Sequence, residues 1–129
     1  MRYNHLALSV KDLERSVEFY QEVFGFVETK RLTREDLRIN IALLKLNTEE
    51  EMLLELIQPH NPIKNQDDPF NLNILGLKHI CFEVENVEEE YQELRSKGYE
   101  VTKPKTGKSI KKYFFVKDPD GLMMELCER

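Results

Sequence analysis

HLALSVKDLERSVEFYQEVFGF, residues 5–26, and HICFEVENVEEEYQELRSKGYEV, residues 79–101, state one pattern twice. Each copy opens on a histidine, runs through a short alternating stretch, reaches Asp12 or Asn86, continues at helical spacing and stops at Gly25 or Gly98. Strand side chains point alternately to two faces, so Leu6, Leu8 and Val10 share one face while His5, Ala7 and Ser9 share the other. In the second copy Ile80, Phe82 and Val84 oppose His79, Cys81 and Glu83. Leu13, Val17, Tyr20 and Phe24 recur at intervals of three and four, as do Val87, Tyr91 and Leu94, which predicts a helix packed on the apolar strand face. Asp12 and Asn86 suit N-caps, Glu89 completes a capping-box pattern with Asn86, and Gly25 and Gly98 suit C-terminal caps.

After each helix the chain returns to strand-like sequence, at 26–30, 38–47 and 51–58 in the first copy and at 100–103, 112–117 and 122–127 in the second. The expected unit is therefore βαβββ, repeated, and the fold class is α+β: two paired modules forming a concave mixed-sheet cup. DPDG at 118–121 has Pro second and Gly fourth, as a type I turn prefers, and marks a hairpin. A stretch rich in Pro, Asn and Asp separates the copies. The organisation expected is a single domain over 1–129, made of a module at 1–58, a linker at 59–76 and a module at 77–129.

Bulk properties bound the function. A 129-residue chain with 40% hydrophobic residues suits one globular domain with a real core. The formal charge of −5 leaves no basic footprint for nucleic acid or an anionic membrane. No apolar stretch approaches the roughly 20 residues that span a bilayer, and the N-terminus lacks the basic-then-apolar order of a signal peptide. Two cysteines, Cys81 and Cys127, are too few for a disulfide framework, so a cytoplasmic protein is expected.

Two acids break this economy. LLELI at 53–57 and GLMMELCER at 121–129 each set a glutamate, Glu55 and Glu125, inside an apolar strand. An ionised carboxylate taken from water needs a cation or a donor beside it. Alternation sends Leu54, Leu56, Met124 and Leu126 to the helix side, which leaves both glutamates on the face of His5 and His79. Alone, a strand-start His is ordinarily structural and a strand Glu an edge residue. Matched in pairs across two copies, they predict a site for one divalent first-row ion, since imidazole and carboxylate together suit such metals. Cys81 and Cys127 each follow a proposed ligand by two positions and share its face; as free cysteines they read as inert packing.

The paired βαβββ pattern, His5 and His79, Glu55 and Glu125, and the ending FFVKDPDGLMMEL at 114–126 resemble the vicinal-oxygen-chelate superfamily, which includes glyoxalase I and methylmalonyl-CoA epimerase. The resemblance implies that His5, Glu55, His79 and Glu125 ligate one divalent ion, whether nickel, zinc, cobalt or manganese. It further implies a lyase or isomerase of the lactoylglutathione lyase type that moves a proton next to a carbonyl through a metal-stabilised enediolate. Glu125 is the first choice for the mobile base and Glu55 the second. The substrate would be a small carbonyl compound or thioester, and a homodimer is expected.

The sequence departs from glutathione-using members at two positions, with Ser9 where an Arg is expected and Pro59 where an Asn is expected, so the thiol stays open. ELIQPHNPIKN at 55–65 resembles the epimerase, for which Glu35 or Asp36 would carry the proton and Lys108, Lys111 and Lys112 would meet coenzyme A phosphates. A non-enzymatic small-molecule binding module is the third reading.

Overall fold

The computed structural model describes residues 1–46, 52–64 and 67–129. The chain divides into two compact units, Met1–Lys64 and Asn65–Arg129. Among the described residues no helix is long and apolar enough to cross a membrane.

The first unit runs β1 (His5–Ser9), α1 (Leu13–Phe24), β2 (Val27–Arg34), β3 (Ile39–Leu46) and β4 (Met52–Pro59). Its sheet has the order β1-β4-β3-β2, with β1 parallel to β4 and the other pairs antiparallel. The second unit repeats this with β5 (Ile80–Glu83), α2 (Val87–Ser96), β6 (Lys105–Thr106), β7 (Lys112–Lys117) and β8 (Met123–Glu128), ordered β5-β8-β7-β6. Each unit is the expected βαβββ. Both are mixed four-stranded sheets with a single helix, so the α+β class holds.

The repeat extends into the hydrogen bonds. Asp12 Oδ1 accepts from the Arg15 amide at 3.2 Å and Asn86 Oδ1 from the Glu89 amide at 3.1 Å. Gln58 Oε1 accepts from the Leu13 amide at 2.9 Å, and Glu128 Oε2 from the Val87 amide at 3.1 Å. In each unit, then, the last strand closes the first turn of the helix, meeting donors that the helix itself leaves unpaired. The helix ends differ. Gly25 takes a left-handed φ of 77° directly after α1 and donates to Gln21. In α2 the cap is Lys97, and Gly98 at φ 87° follows it, with Gly98 donating to Arg95 and Tyr99 to Leu94 in a Schellman pattern.

The helix-side faces form the cores. In the first unit Leu8, Leu54, Leu56, Ala42 and Leu44 are buried with Leu13, Val17 and Tyr20 of α1. In the second, Phe114, Val116, Met124 and Leu126 are buried with Val87, Tyr91 and Leu94 of α2. Full burial of each large apolar side chain stabilises by about 1.5–3 kcal/mol, which is what fixes the strand faces.

Two expected strands shift. β2 continues to Arg34, past the expected end at residue 30, and turns back through Glu35–Arg38, where Arg38 adopts φ 56°. The strand expected at 100–103 gives way to β6 at Lys105–Thr106, with only an isolated bridge from Val101 to Val116. The cause lies in Thr102 and Pro104. Thr102 Oγ1 takes the Phe115 amide at 2.9 Å in place of a backbone carbonyl, and Pro104 has no amide to extend the ladder. The expected strand ends at Asn47 and Glu51 lie outside the described residues. The 118–121 hairpin turn forms as expected, with the Gly121 amide donating to the Asp118 carbonyl at 3.1 Å.

Candidate functional site

In the first unit β1 and β4 run in parallel with Ala7 opposite Glu55 and His5 opposite Leu53. His5 and Glu55 therefore sit diagonally on one face, and His5 Nε2 lies 3.4 Å from Glu55 Oε2. Leu54 and Leu56, either side of the acid, turn into the core. His5 Nδ1 lies 2.7 Å from Asn4 Oδ1, an acceptor to which it donates, and Nε2 is the nitrogen turned to the carboxylate. An imidazole nitrogen and a carboxylate oxygen set side by side can share a proton or a metal ion.

The second unit repeats the diagonal. Cys81 stands opposite Glu125, and His79, one residue before β5, reaches it with Nε2 2.7 Å from Oε2. Glu125 is the more enclosed acid, its side chain 11% exposed against 21% for Glu55. Phe115, directly across β7 from Glu125, meets the His79 ring edge to face at 5.4 Å.

The four expected site residues are thus brought together two by two, His5 with Glu55 and His79 with Glu125. Among the described residues no group of three or more His, Cys, Asp or Glu side chains is close enough to hold an ion. Each pair nevertheless presents one imidazole nitrogen and one carboxylate oxygen, both metal-donor atoms, at a spacing a cation can share. The donor set fits a divalent ion. Of the cysteines, Cys127 is buried and Cys81 exposed; partial desolvation of the Cys81 sulfur, then the neighbouring Cys127 thiol and the Glu125 charge, push its thiol up. A thiol held protonated is a poor nucleophile; the packing role fits buried Cys127, whereas the exposure of Cys81 departs from it.

Of the acid and lysine candidates, Asp36 and Lys111 are engaged elsewhere. Asp36 pairs with Arg34 at 2.7 Å in the β2–β3 turn, and this guanidinium holds its carboxyl below the usual range. Lys111 pairs with Glu128, whose carboxyl it lowers in turn. Lys112 lies opposite the same acid in the β7–β8 register.

Sequence reasoning missed much of the wall around His79 and Glu125. A cavity of about 590 Å³ opens there within the second unit. Phe115 and Tyr113 line it, and so do Phe70 from the stretch read as linker and Lys105 from the displaced β6. Carrying the alternation from Glu125 to Phe115 and on to the edge strand is the one signal that could have found Lys105. Nothing periodic points to Phe70.

The chain is 30% identical to a lactoylglutathione lyase of Pseudomonas aeruginosa, the match covering 98% of this chain and 81% of the relative. It is also 30% identical to a lactoylglutathione lyase of Schizosaccharomyces pombe over 99% of its length, but it spans only 47% of that protein. A glyoxalase family protein from Enterococcus faecalis superposes with a TM-score of 0.81 at 28% identity, covering 98% of this chain and 97% of that one. The family model matches residues 2–126, and the chain belongs to the Glyoxalase/Bleomycin resistance protein/Dioxygenase superfamily.

Proposed function

We propose that the protein is a divalent-metal-dependent lyase or isomerase of the glyoxalase I type, catalysing proton transfer next to a carbonyl. The observation that carries this reading is the recurrence in both units of one His–Glu pair, the His at the start of the first strand or just before it and the Glu on the last strand. Lactoylglutathione lyases among its relatives support it. His5, Glu55, His79 and Glu125 would hold the ion, the two pairs contributing equally. When bound, the ion supplies Lewis acidity toward a substrate carbonyl oxygen.

The chain's own residues do the rest. Glu125 takes the proton from the carbon beside the carbonyl and returns it to the neighbouring carbon, a role that a largely desolvated carboxylate between Phe115 and Met123 is placed to play. His79 fixes the carboxylate's orientation through its 2.7 Å contact, and Phe115 keeps water from the proton in transit. Glu55, more open, keeps its carboxylate on His5. We place the enzyme in the cytoplasm as a homodimer.

Metal-loaded protein should isomerise hemithioacetals of methylglyoxal or phenylglyoxal with at least one small thiol, followed as thioester absorbance, and should leave methylmalonyl-CoA unchanged. Epimerisation of methylmalonyl-CoA without hemithioacetal turnover would replace this reading with the racemase one. The engagement of Asp36 and Lys111 in surface ion pairs speaks against that outcome. Inactivity toward every carbonyl substrate would leave a binding module.

A further inference from the structure

The cavity beside His79 and Glu125 has a chemistry of its own. Its floor can be followed across the sheet by register: Glu125 on β8 faces Phe115 on β7, and Tyr113, two residues along β7, faces Lys105 on the edge strand β6. Three rings follow one another over this floor, His79 to Phe115 at 5.4 Å and Phe115 to Tyr113 at 6.0 Å, both edge to face. A fourth ring closes the wall, Phe70 standing 5.5 Å from Phe115 at an interplanar angle of 90°.

Phe70 is held there by its own loop. Asp68 Oδ1 accepts from the Phe70 amide at 2.9 Å, Asn71 Oδ1 accepts from the Asn73 amide at 3.1 Å, and Lys78 Nζ donates to the Asn71 carbonyl at 3.1 Å. Consecutive Asx turns of this kind preform a loop rather than leave it to be ordered by a ligand. Phe70 nonetheless leaves 53% of its surface exposed, so its ring is offered to the cavity and not used up in packing.

The lysines divide by role. Lys78 is committed to the loop. Lys105 has no acidic partner among the described residues, yet it lines the same cavity two strands away from the reacting acid. Adjacent strands are about 4.8 Å apart, so Lys105 starts roughly 10 Å from the strand of Glu125, a span that an aromatic ring and a short tether fill. A volume of about 590 Å³ is that of a whole small ligand, well beyond a methyl group.

We propose that this pocket selects a carbonyl substrate whose arm is aromatic and ends in an anion, a carboxylate or a phosphate, with the ring held among Phe70, Tyr113 and Phe115 and the anion at Lys105. The proposal rests on the reading of Glu125 as the reacting end of the site. It makes Lys105 a specificity residue and gives the substrate a charge that neither Ser9 nor Pro59 would read.

The test is calorimetric titration of metal-free protein with 4-phenylbutyrate, its uncharged amide and 4-phenylbutyl phosphate, for the native chain, Lys105→Gln and Lys78→Gln. The expected result is that one or both anions bind at least tenfold tighter than the amide, the tighter of the two naming the anion. Lys105→Gln should remove that preference while amide binding is unchanged, and Lys78→Gln should retain it. Equal binding of acid, phosphate and amide, no binding of any, or a preference that survives Lys105→Gln would overturn the proposal. Because the readout is binding without metal, it can fail while the proposed catalysis stands, and the reverse.

Discussion

Replacing Glu125 with glutamine will lower metal-dependent turnover by about 10²–10⁴-fold, the range over which a positioned general base or acid contributes. The substitution preserves shape and removes the carboxylate proposed to accept the proton. Glu55→Gln should cost less, because Glu55 is the more exposed of the two and shares its imidazole at 3.4 Å, not 2.7 Å. The two variants make a direct comparison. If Glu55→Gln proves the more damaging under saturating metal, the proton-moving role belongs to the first unit and the assignment reverses.

Phe114→Ala will destabilise the protein by about 3–5 kcal/mol, as large-to-small changes at fully buried aromatic positions do. Phe114 is 0% exposed and packs edge to face on Tyr91 of α2 at 5.8 Å. Against a total stability of roughly 5–15 kcal/mol for a domain, such a loss brings unfolding close to ambient conditions. Its neighbour Phe115 points to the opposite face and lines the cavity, so Phe115→Ala should cost markedly less in urea unfolding while weakening ligand binding. Equal losses at both positions would contradict the face assignment on β7, and with it the placement of Glu125.

The same contrast shows what was legible in advance. Alternation in β1, β7 and β8 separates core from site, because a strand period of two leaves no choice once one face is apolar. Helix limits were legible from Asp12, Asn86, Gly25 and Gly98, residues whose backbone chemistry is local. The pairing of each His with its Glu was legible only through the repeat. What escaped depends on tertiary detail. Thr102 lends its hydroxyl to the Phe115 amide and moves the edge strand to Lys105, and Phe70 reaches the cavity from a loop shaped by Asp68 and Asn71. Neither a side chain replacing a carbonyl nor an Asx turn leaves a hydrophobic period to read.

The proposal that His5, Glu55, His79 and Glu125 are ligands of one ion is tested most directly by the melting temperature of chelator-stripped protein. The native chain, His5→Ala and His79→Ala should each be heated with and without nickel, zinc, cobalt and manganese. At a hundredfold excess over the dissociation constant a bound ion adds about 2.7 kcal/mol to stability. The native chain should show that rise with at least one metal, and each single histidine variant, one from either unit, should lose most of it. No rise with any metal, or a full rise retained when either histidine alone is removed, would contradict the account.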